Sequence, residues 1–475
     1  MEELISLFYD LTGEKPMCQM LKGEGSNRQY FRLISPSHSF IGVKGESTVE
    51  NHTFIVMAKH FAEKGLNTPK VLAASPDELY YLQEDLGDES LFHAISNDIS
   101  SHSFEGVSLD LLKKTMAKLA DFQFKAAEGF DFSVCYPIPS MDRQSILWDL
   151  NYFKYCFLKL AHVDFLELDL EKDFQQLTND LLQFDSNTFL YRDFQSRNVM
   201  IKNGDPYFID FQGGRRGPIY YDVASFVWQA KANYPKETKR QLIDAYLQSL
   251  KKYQLVDESS FHSALSLFVL FRLIQVLGAY GYRGLFEKKK HFIESIPMAF
   301  VNVKELLQEH DFNRYPYLVS LLEKLSNEPS FQPSLLPDAT NLTVKVYSFS
   351  YKKGIPADDS GNGGGYVFDC RGVHNPGKYD QYKPLTGLDQ PVIDFLEKDG
   401  EILKFLESVY ALADAHVLRY MERGFTSLMF SFGCTGGRHR SVYSAQHVAE
   451  HIANKFGVKV VLCHREHGIE KVYNS

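Results

Sequence analysis

The segment Tyr191-Arg192-Asp193-Phe194-Gln195-Ser196-Arg197-Asn198 sets four residues between an aspartate and an asparagine, ahead of the apolar run Val199-Met200-Ile201. A loop of that form presents a carboxylate and an amide oxygen to one space. Shortly downstream, the apolar run Tyr207-Phe208-Ile209 delivers a second carboxylate, Asp210, at its end. Phosphoryl transfer needs a carboxylate to orient and deprotonate the attacking hydroxyl, and hard oxygen ligands for Mg²⁺ bridging the phosphates. A single Asp in a loop is most often a turn or cap residue. Asp193, Asn198 and Asp210 meet the chemical need in both order and spacing, with Asp193 as the base and Asn198 and Asp210 as metal ligands.

The remaining parts of a nucleotide site are sought upstream. Gly23-Glu24-Gly25-Ser26 lies before the β-prone run Gln29–Ile34, and the N–H groups around Gly25 and Ser26 could cover phosphates, although glycine-rich hairpins are common. Lys44, at the end of Ile41-Gly42-Val43-Lys44, could reach the phosphates or be an ordinary edge-strand lysine. Glu50 could orient Lys44, or merely suit a helix start. Gln83-Glu84-Asp85-Leu86-Gly87 follows a strand and could be a hinge, with Glu84 and Leu86 offering backbone groups to adenine.

A second constellation is Phe432-Gly433-Cys434-Thr435-Gly436-Gly437-Arg438-His439-Arg440-Ser441, which follows an apolar strand and opens a helix. Backbone N–H groups freed by glycine at a helix N-terminus form an anion site, and Arg438, His439 and Arg440 would add charge to it. A plain strand-to-helix turn would need one glycine and no cations. Cys434, five residues, Arg440 and Ser441 also fit the loop of a cysteine phosphatase, in which a thiolate attacks phosphorus.

The elements that must position these residues follow from pattern. Short β-prone runs at 29–34 and 39–44, a helical segment from Val49 to Lys64, and further strands near 69–72 and 79–82 predict a small β lobe over about 1–88. Long amphipathic helices then predict a helical lobe over about 89–325, interrupted by a β-rich piece at 188–212. Ser326 to Thr340 holds three prolines and no period, so it reads as a linker. From residue 341 onward, strands at 342–350, 365–369, 427–432 and 458–464 alternate with helices, predicting a compact α/β domain over 341–475.

Composition bounds the classes. The chain has 475 residues, 44% hydrophobic and 23% charged, which is a globular balance spread over more than one domain. Its net charge of −9 argues against whole-chain binding to nucleic acid. From Thr340 onward 16 Lys+Arg meet 15 Asp+Glu, so the tail is near neutral while the first part is acidic. Six cysteines without close spacing in sequence argue against a disulfide framework or zinc cluster. The acidic start MEELISLFYD is unlike a signal peptide, and the most apolar stretch, 264–280, is interrupted by Arg272 and Gln275. The expectation is a cytoplasmic protein with no membrane or DNA partner.

Residues from about 20 to 320 resemble the aminoglycoside phosphotransferase/choline kinase-like superfamily, and within it the kinases that phosphorylate N-acetylmuramate and N-acetylglucosamine at the anomeric hydroxyl. The resemblance is carried by Tyr30-Phe31-Arg32, Gln83 to Gly87, Arg192 to Asn198, Ile209 to Gln212 with Arg215 and Gly217-Pro218, Tyr221 to Ser225, and Arg272-Leu273 through Gly278. It implies a bilobal protein-kinase-like α+β fold, ATP and Mg²⁺ as cofactors, Asp193 as base, Asn198 and Asp210 on magnesium, and Asp222 bracing the loop. Arg197 and Arg215 are further supporting or acceptor-binding candidates. The sequence departs from that pattern at Tyr191, where histidine is usual, and at Gly213-Gly214 before Arg215.

Residues 342–473 resemble the C-terminal domain of the RNase adapter protein RapZ, through Ser348-Phe349, Lys352, Gly354-Ile355-Pro356, Phe368 to Arg371, Asn375-Pro376, Pro384 to Asp389, Gly433 to Ser441 and Cys463-His464-Arg465. That resemblance implies binding of an amino-sugar phosphate or another anion through Lys352, Arg371, Cys434, Thr435, Gly436, Gly437, Arg438, His439, Arg440, Ser441, His464 and Arg465, with RNA as a further partner. The whole reads as an amino-sugar kinase fused to an anion-binding regulatory module. The alternatives are an RNA- or protein-binding regulator with a sensor kinase lobe, and a tail with cysteine-phosphatase activity.

Overall fold

The computed structural model describes residues 1–21, 28–332, 342–358, 360–361 and 364–474. The chain divides into two compact units, Met1–Pro333 and Ser334–Ser475. The expected linker at 326–340 begins inside the first unit: Ser326 ends the helix Pro316–Ser326, and Pro329–Phe331 form one 3₁₀ turn. Residues 333–341 lie outside the described residues.

The first unit opens with helix α1 (Glu2–Thr12) and a five-stranded antiparallel sheet, β1 (Met17–Leu21), β2 (Gln29–Ile34), β3 (Ser39–Lys44), β4 (Val71–Ala74) and β5 (Tyr80–Glu84), in the order β1-β2-β3-β5-β4. Lys44 therefore sits on the central strand, not on an edge. Alternation and register put Phe31 and Leu33 on one face of the sheet, where α1 adds Leu4 and Phe8 to a small cluster with Leu82, and Ile41 and Val43 on the opposite face, in the large core. Helix α2 (Thr48–Glu63), capped by the Ser47 side chain, buries Phe54, Ile55, Met57, Ala58 and Phe61. These side chains belong to the large core shared with the helical lobe.

In that lobe a short antiparallel pair, β6 (Thr188–Leu190) with β9 (Arg215–Gly217), and a hairpin, β7 (Val199–Lys202) with β8 (Asp205–Phe208), frame the Asp193 loop. The helix Glu258–Tyr280 is apolar enough by length and composition to cross a membrane, yet most of it is packed inside this core. It lies against the helix Arg143–Phe153, and two glycines make that approach possible. A Cβ on Gly278 would sit 2.8 Å from the backbone N of Phe153, and one on Gly281 would collide with the carbonyl oxygen of Cys156.

The second unit is a five-stranded sheet of β10 (Thr343–Ser350), β11 (Tyr366–Asp369), β12 (Ser427–Cys434), β13 (Lys459–His464) and β14 (Ile469–Tyr473), ordered β11-β12-β10-β13-β14. The first four are parallel and β14 is antiparallel to β13. The helix Arg440–Phe456 packs on β10, β12 and β13. Ahead of β12 lie two helices, Gln390–Lys398 and Glu401–Glu422, broken at Gly400, whose φ of 73° is left-handed. The carboxyl ends of β10, β12 and β13 bring Lys352, the Thr435–His439 loop and Arg465 to one end of the sheet, where ligands of open α/β sheets bind.

The close crossing at Gly281 sets the distance between the helix carrying Arg272 and the one carrying Asp149. Gly281→Ala should lower stability by about 1–3 kcal/mol, since backbone must shift to admit the methyl. The fluorescence of Trp148 and Trp228, both in the first unit, reads this directly. An unchanged urea midpoint would remove the packing role.

Candidate active site and anion loop

The loop between β6 and β7 is held from beneath by one buried carboxylate. Asp222, fully buried on the helix Tyr220–Val227, accepts the backbone N–H of Tyr191 at 2.8 Å and of Arg192 at 2.9 Å, and the Gln123 amide at 3.2 Å. Those bonds hold Arg192 at a φ of 80°, a conformation costly for a side chain with a Cβ. The Arg192 guanidinium forms a two-pronged pair with Asp149, at 2.9 and 3.1 Å. At the other end of the loop, the Gln229 side-chain oxygen accepts both the N–H and the hydroxyl of Ser196. Tyr191, in place of the histidine usual in the resembling family, is buried against Phe194 and donates its hydroxyl to the carbonyl of Ile209.

That frame brings Asp193, Asn198, Asp210 and Arg197 together. Arg197 donates to Asp193 at 2.9 Å, and Arg272 approaches the same carboxylate at 3.6 Å. Burial works against the Asp193 charge, but Arg197 and Arg272 hold its carboxyl below the usual range. Asn198 donates its amide N–H to the Asp193 carbonyl at 2.9 Å, and its own carbonyl accepts the N–H of Ile209, which fixes the start of the Asp210 turn. Asp210 has a φ of 65° and accepts the Gln212 amide at 2.6 Å. Burial, with the neighbouring Asp193 charge, pushes its carboxyl above the usual range against that hydrogen bond.

A half-buried carboxylate raised by desolvation and by a second carboxylate is a site that gains from a cation. Among the described residues no three His, Cys, Asp or Glu side chains form a metal cluster, so the donors on offer are two carboxylates and an amide oxygen. This donor set fits Mg²⁺, which takes one or two carboxylates and completes its shell with water and substrate phosphates. Phe211, the residue after Asp210, stacks on Phe54 of α2 at 4.7 Å and meets Phe61 edge-on at 5.0 Å. The position of Asp210 is thereby coupled to α2.

One upstream expectation changes. Glu50 pairs with the buried Arg28 at 3.7 Å, not with Lys44, because Arg28 enters from the start of β2 alongside Tyr30, Tyr81 and Asp210. Lys44 makes no ion pair among the described residues. The Glu84 side chain is turned to Lys202 at 2.7 Å, leaving only backbone groups of 84–86 for a base, with Leu86 buried beside them. Asp85 ties this segment to β2 through Arg32 at 2.8 Å. Gly25 and Ser26 lie outside the described residues. Arg215 is buried next to Arg192 and donates to the Gly213 carbonyl, and burial together with the Arg192 charge pushes it down to about 10. Its hydrogen bonds hold the Gly213 turn.

Arg272, Arg28, Asp149, Gln123 and Gln229 carry no role in the sequence reading. Arg272 had a signal, a lone charge inside an apolar helix, where an arginine needs a buried partner. The two glutamines and Asp149 had none.

In the second unit the loop after β12 turns inward. Cys434 is buried, with its Sγ 3.1 Å from the Ser441 hydroxyl. Against the cost of burial, that hydroxyl and the N–H groups of Ser441 and Arg438 hold the thiol below its ordinary value. The expected cations point elsewhere. Arg438 donates to the carbonyls of Lys383 and Pro384, His439 meets that of Tyr382, and the buried Arg440 donates to those of Arg371 and Val373 at 3.0 and 2.7 Å. The cause is the stretch 370–389, built of short 3₁₀ turns, whose carbonyls need donors that no strand supplies.

The other candidates are also engaged. Arg371 pairs with Asp369 at 2.7 Å and lies over Tyr351. His464 is buried between Ser348 and Gln446, and burial pushes it down to about 4, so it carries no charge at neutral pH. Arg465 donates to the Gly354 carbonyl and pairs with Glu466. Lys352, Thr435 and Gly436 remain exposed, and Gly437 adopts a left-handed φ of 64° between Glu466 and Ser350.

Comparison with known proteins fits this division. Residues 18–258 match the model of the phosphotransferase enzyme family, and residues 342–468 match that of the RapZ C-terminal domain. A nucleotide-binding protein of Geobacillus kaustophilus is 38% identical over 127 residues, 27% of this chain and 40% of its own length. One from Xanthomonas campestris pv. campestris is 34% identical over 131 residues, 28% of this chain and 45% of its own. The chain thus spans less than half the length of these curated relatives. Among solved structures, a choline kinase from Cryptosporidium parvum is 13% identical, covering 65% of this chain and 93% of its own, with a TM-score of 0.46.

Burial raises Asp222 from 3.8 to about 6. A carboxyl raised on folding contributes stability that is complete below its unfolded value and lost as pH rises through its folded value. Wild-type stability relative to Asp222→Asn should therefore fall by about 3 kcal/mol from pH 3.5 to pH 7. Urea titrations followed by tryptophan fluorescence measure this, and a pH-independent difference would contradict a buried charge at Asp222.

Proposed function

The chain belongs to the phosphotransferase enzyme family, and from that premise we propose that its first unit transfers a phosphoryl group from Mg²⁺-ATP to a hydroxyl of an amino sugar such as N-acetylmuramate or N-acetylglucosamine. The observation that supports the reaction is the Asp193 carboxylate, kept ionised by Arg197 and Arg272 within the same cluster as Asn198 and Asp210. An ionised carboxylate at that point can accept the proton of an acceptor hydroxyl and aim its oxygen. Asn198 and Asp210 would hold Mg²⁺, which when bound neutralises charge on the phosphates. Arg197 and Arg272 keep the base from drifting toward its neighbour, while Asp222 and Gln229 fix the loop that carries it. Lys44, Arg28 and the backbone of 84–86 would take the nucleotide. The amino-sugar acceptor rests on the sequence resemblance, as does a place in cell-wall recycling.

For the second unit we propose a phosphosugar- or anion-binding regulatory role, with a narrower contact set than the sequence suggested. Lys352 and the backbone around Thr435 and Gly436 are exposed for a ligand, whereas Arg438, His439 and Arg440 serve the 370–389 stretch.

Asp193→Ala should abolish N-acetylmuramate-dependent ATP consumption, by about 100-fold or more, while leaving ATP affinity within about threefold, because the base meets the acceptor and not the nucleotide. Acceptor-dependent turnover at the wild-type rate would refute the role. Asp210→Asn should raise the Mg²⁺ concentration needed for half-maximal rate by about tenfold or more, since a charged ligand is lost. A Mg²⁺ titration that superimposes on the wild type would remove Asp210 from the metal site.

A further inference from the structure

Two thiols far apart in sequence meet at the carboxyl ends of adjacent parallel strands. The register of β11 with β12 pairs Phe368 with Phe432 and Asp369 with Gly433. The ladder ends there: Cys434 closes β12 and Cys370 opens the 3₁₀ turn Cys370–Gly372, each two residues beyond a ring of the Phe368–Phe432 stack, and the two thiols are close enough to act on each other electrostatically. Neighbouring strands lie about 4.8 Å apart, inside the Cα separation of roughly 4.4–6.8 Å that a disulfide spans. Both cysteines are free, and both side chains are buried in one apolar cluster, at 0% and 3% exposure.

The helix Arg440–Phe456 covers the pair. Cys370 Sγ donates to the Ser444 hydroxyl at 3.8 Å, and Cys434 Sγ lies 3.1 Å from that of Ser441. Ser441 and Ser444 are three residues apart, hence on one helix face, so both sulfurs lie under the same turn. We propose that Cys434 and Cys370 form a reversible dithiol–disulfide pair, oxidised by peroxide and reduced by a small thiol.

The two cysteines differ in a way that assigns their parts. Cys434 is stabilised as thiolate by a hydroxyl and two backbone N–H groups, and the residues that follow it, Thr435 and Gly436, are exposed. Cys370 is sealed from solvent, and burial pushes its thiol up to about 12. The Cys434 thiolate attacks one oxygen of the peroxide and the O–O bond breaks. Cys434 becomes a sulfenic acid, and the departing alkoxide or hydroxide takes up the proton that the thiol gave to solvent on ionising, leaving as alcohol or water. Cys370 then attacks the Cys434 sulfur, the S–O bond breaks, and the Cys370 proton leaves with the hydroxide as water. The pair loses two electrons and the peroxide gains them. Disulfide formation withdraws the Cys434 sulfur from Ser441 and the loop N–H groups, so the Thr435–His439 loop loses the group it is wrapped around.

The test treats the full chain with hydrogen peroxide, blocks remaining thiols with N-ethylmaleimide in denaturant, and maps peptides by mass spectrometry without and with dithiothreitol. The expected product is a Cys370–Cys434 linked peptide pair that dithiothreitol separates. Cys370→Ser should leave a sulfenic acid on Cys434 that dimedone traps, and Cys434→Ser should leave Cys370 fully alkylated by maleimide. Exposed Cys18 is the internal control for oxidant dose. If Cys18 is oxidised while Cys370 and Cys434 of the wild type both remain maleimide-labelled, or if either links to a different cysteine, the proposal fails.

Discussion

A single buried carboxylate decides whether the Asp193 loop can exist. Asp222 supplies two acceptors to N–H groups that no strand or helix satisfies, and it does so where Arg192 is forced into a left-handed backbone conformation. The cost of burying the charge is visible in its raised value of about 6. Each bond it accepts offsets part of that cost, and Gln123 contributes a third. With the loop fixed, Asp193 projects toward Asp210 at the end of the neighbouring hairpin. With the loop free, no spacing in the sequence would keep the two carboxylates in one space.

The arginines around this point divide the work by their partners. Arg192 is neutralised by Asp149 and fastens the loop to the helix Arg143–Phe153. Arg197 and Arg272 face Asp193 and keep it charged. Arg28 connects Glu50 of α2 to the neighbourhood of Asp210, and Phe211 stacked on Phe54 gives the same helix a second hold. The β lobe and the helical lobe are thus joined through both sides of the Asp210 turn. A shift of α2 would move a metal-ligand candidate and a charge near it together.

Most of the fold was legible because alternation and helical period act locally. The runs at 29–34 and 39–44 are strands, those at 427–432 and 458–464 fall on strands 427–434 and 459–464, and the Asp193–Asn198–Asp210 spacing does gather those side chains. Strand order was not legible, since β5 between β3 and β4, and β10 at the centre of the second sheet, depend on long-range pairing. Partner choice was misread for the same reason: Glu50 meets Arg28 because β2 runs past α2, which no spacing between residues 28, 44 and 50 reveals. In the second unit, charge density near a glycine turn suggested an anion clamp. The cations instead satisfy carbonyls of an irregular stretch some fifty to seventy residues upstream in the chain. The neighbourhood of Cys370 and Cys434 likewise depends on the long-range pairing of β11 with β12, at whose end both lie.

The account stands or falls on acceptor-dependent phosphoryl transfer by the first unit. Phosphorus NMR of the purified chain with ATP, Mg²⁺ and, in turn, N-acetylmuramate, N-acetylglucosamine, an aminoglycoside, choline and homoserine follows both ATP loss and the new ester. The expected product is a phosphate ester on an amino-sugar hydroxyl, formed at the rate of ATP loss and absent from Asp193→Ala. ATP loss that is the same with every acceptor and without any, and the same in Asp193→Ala, would contradict it.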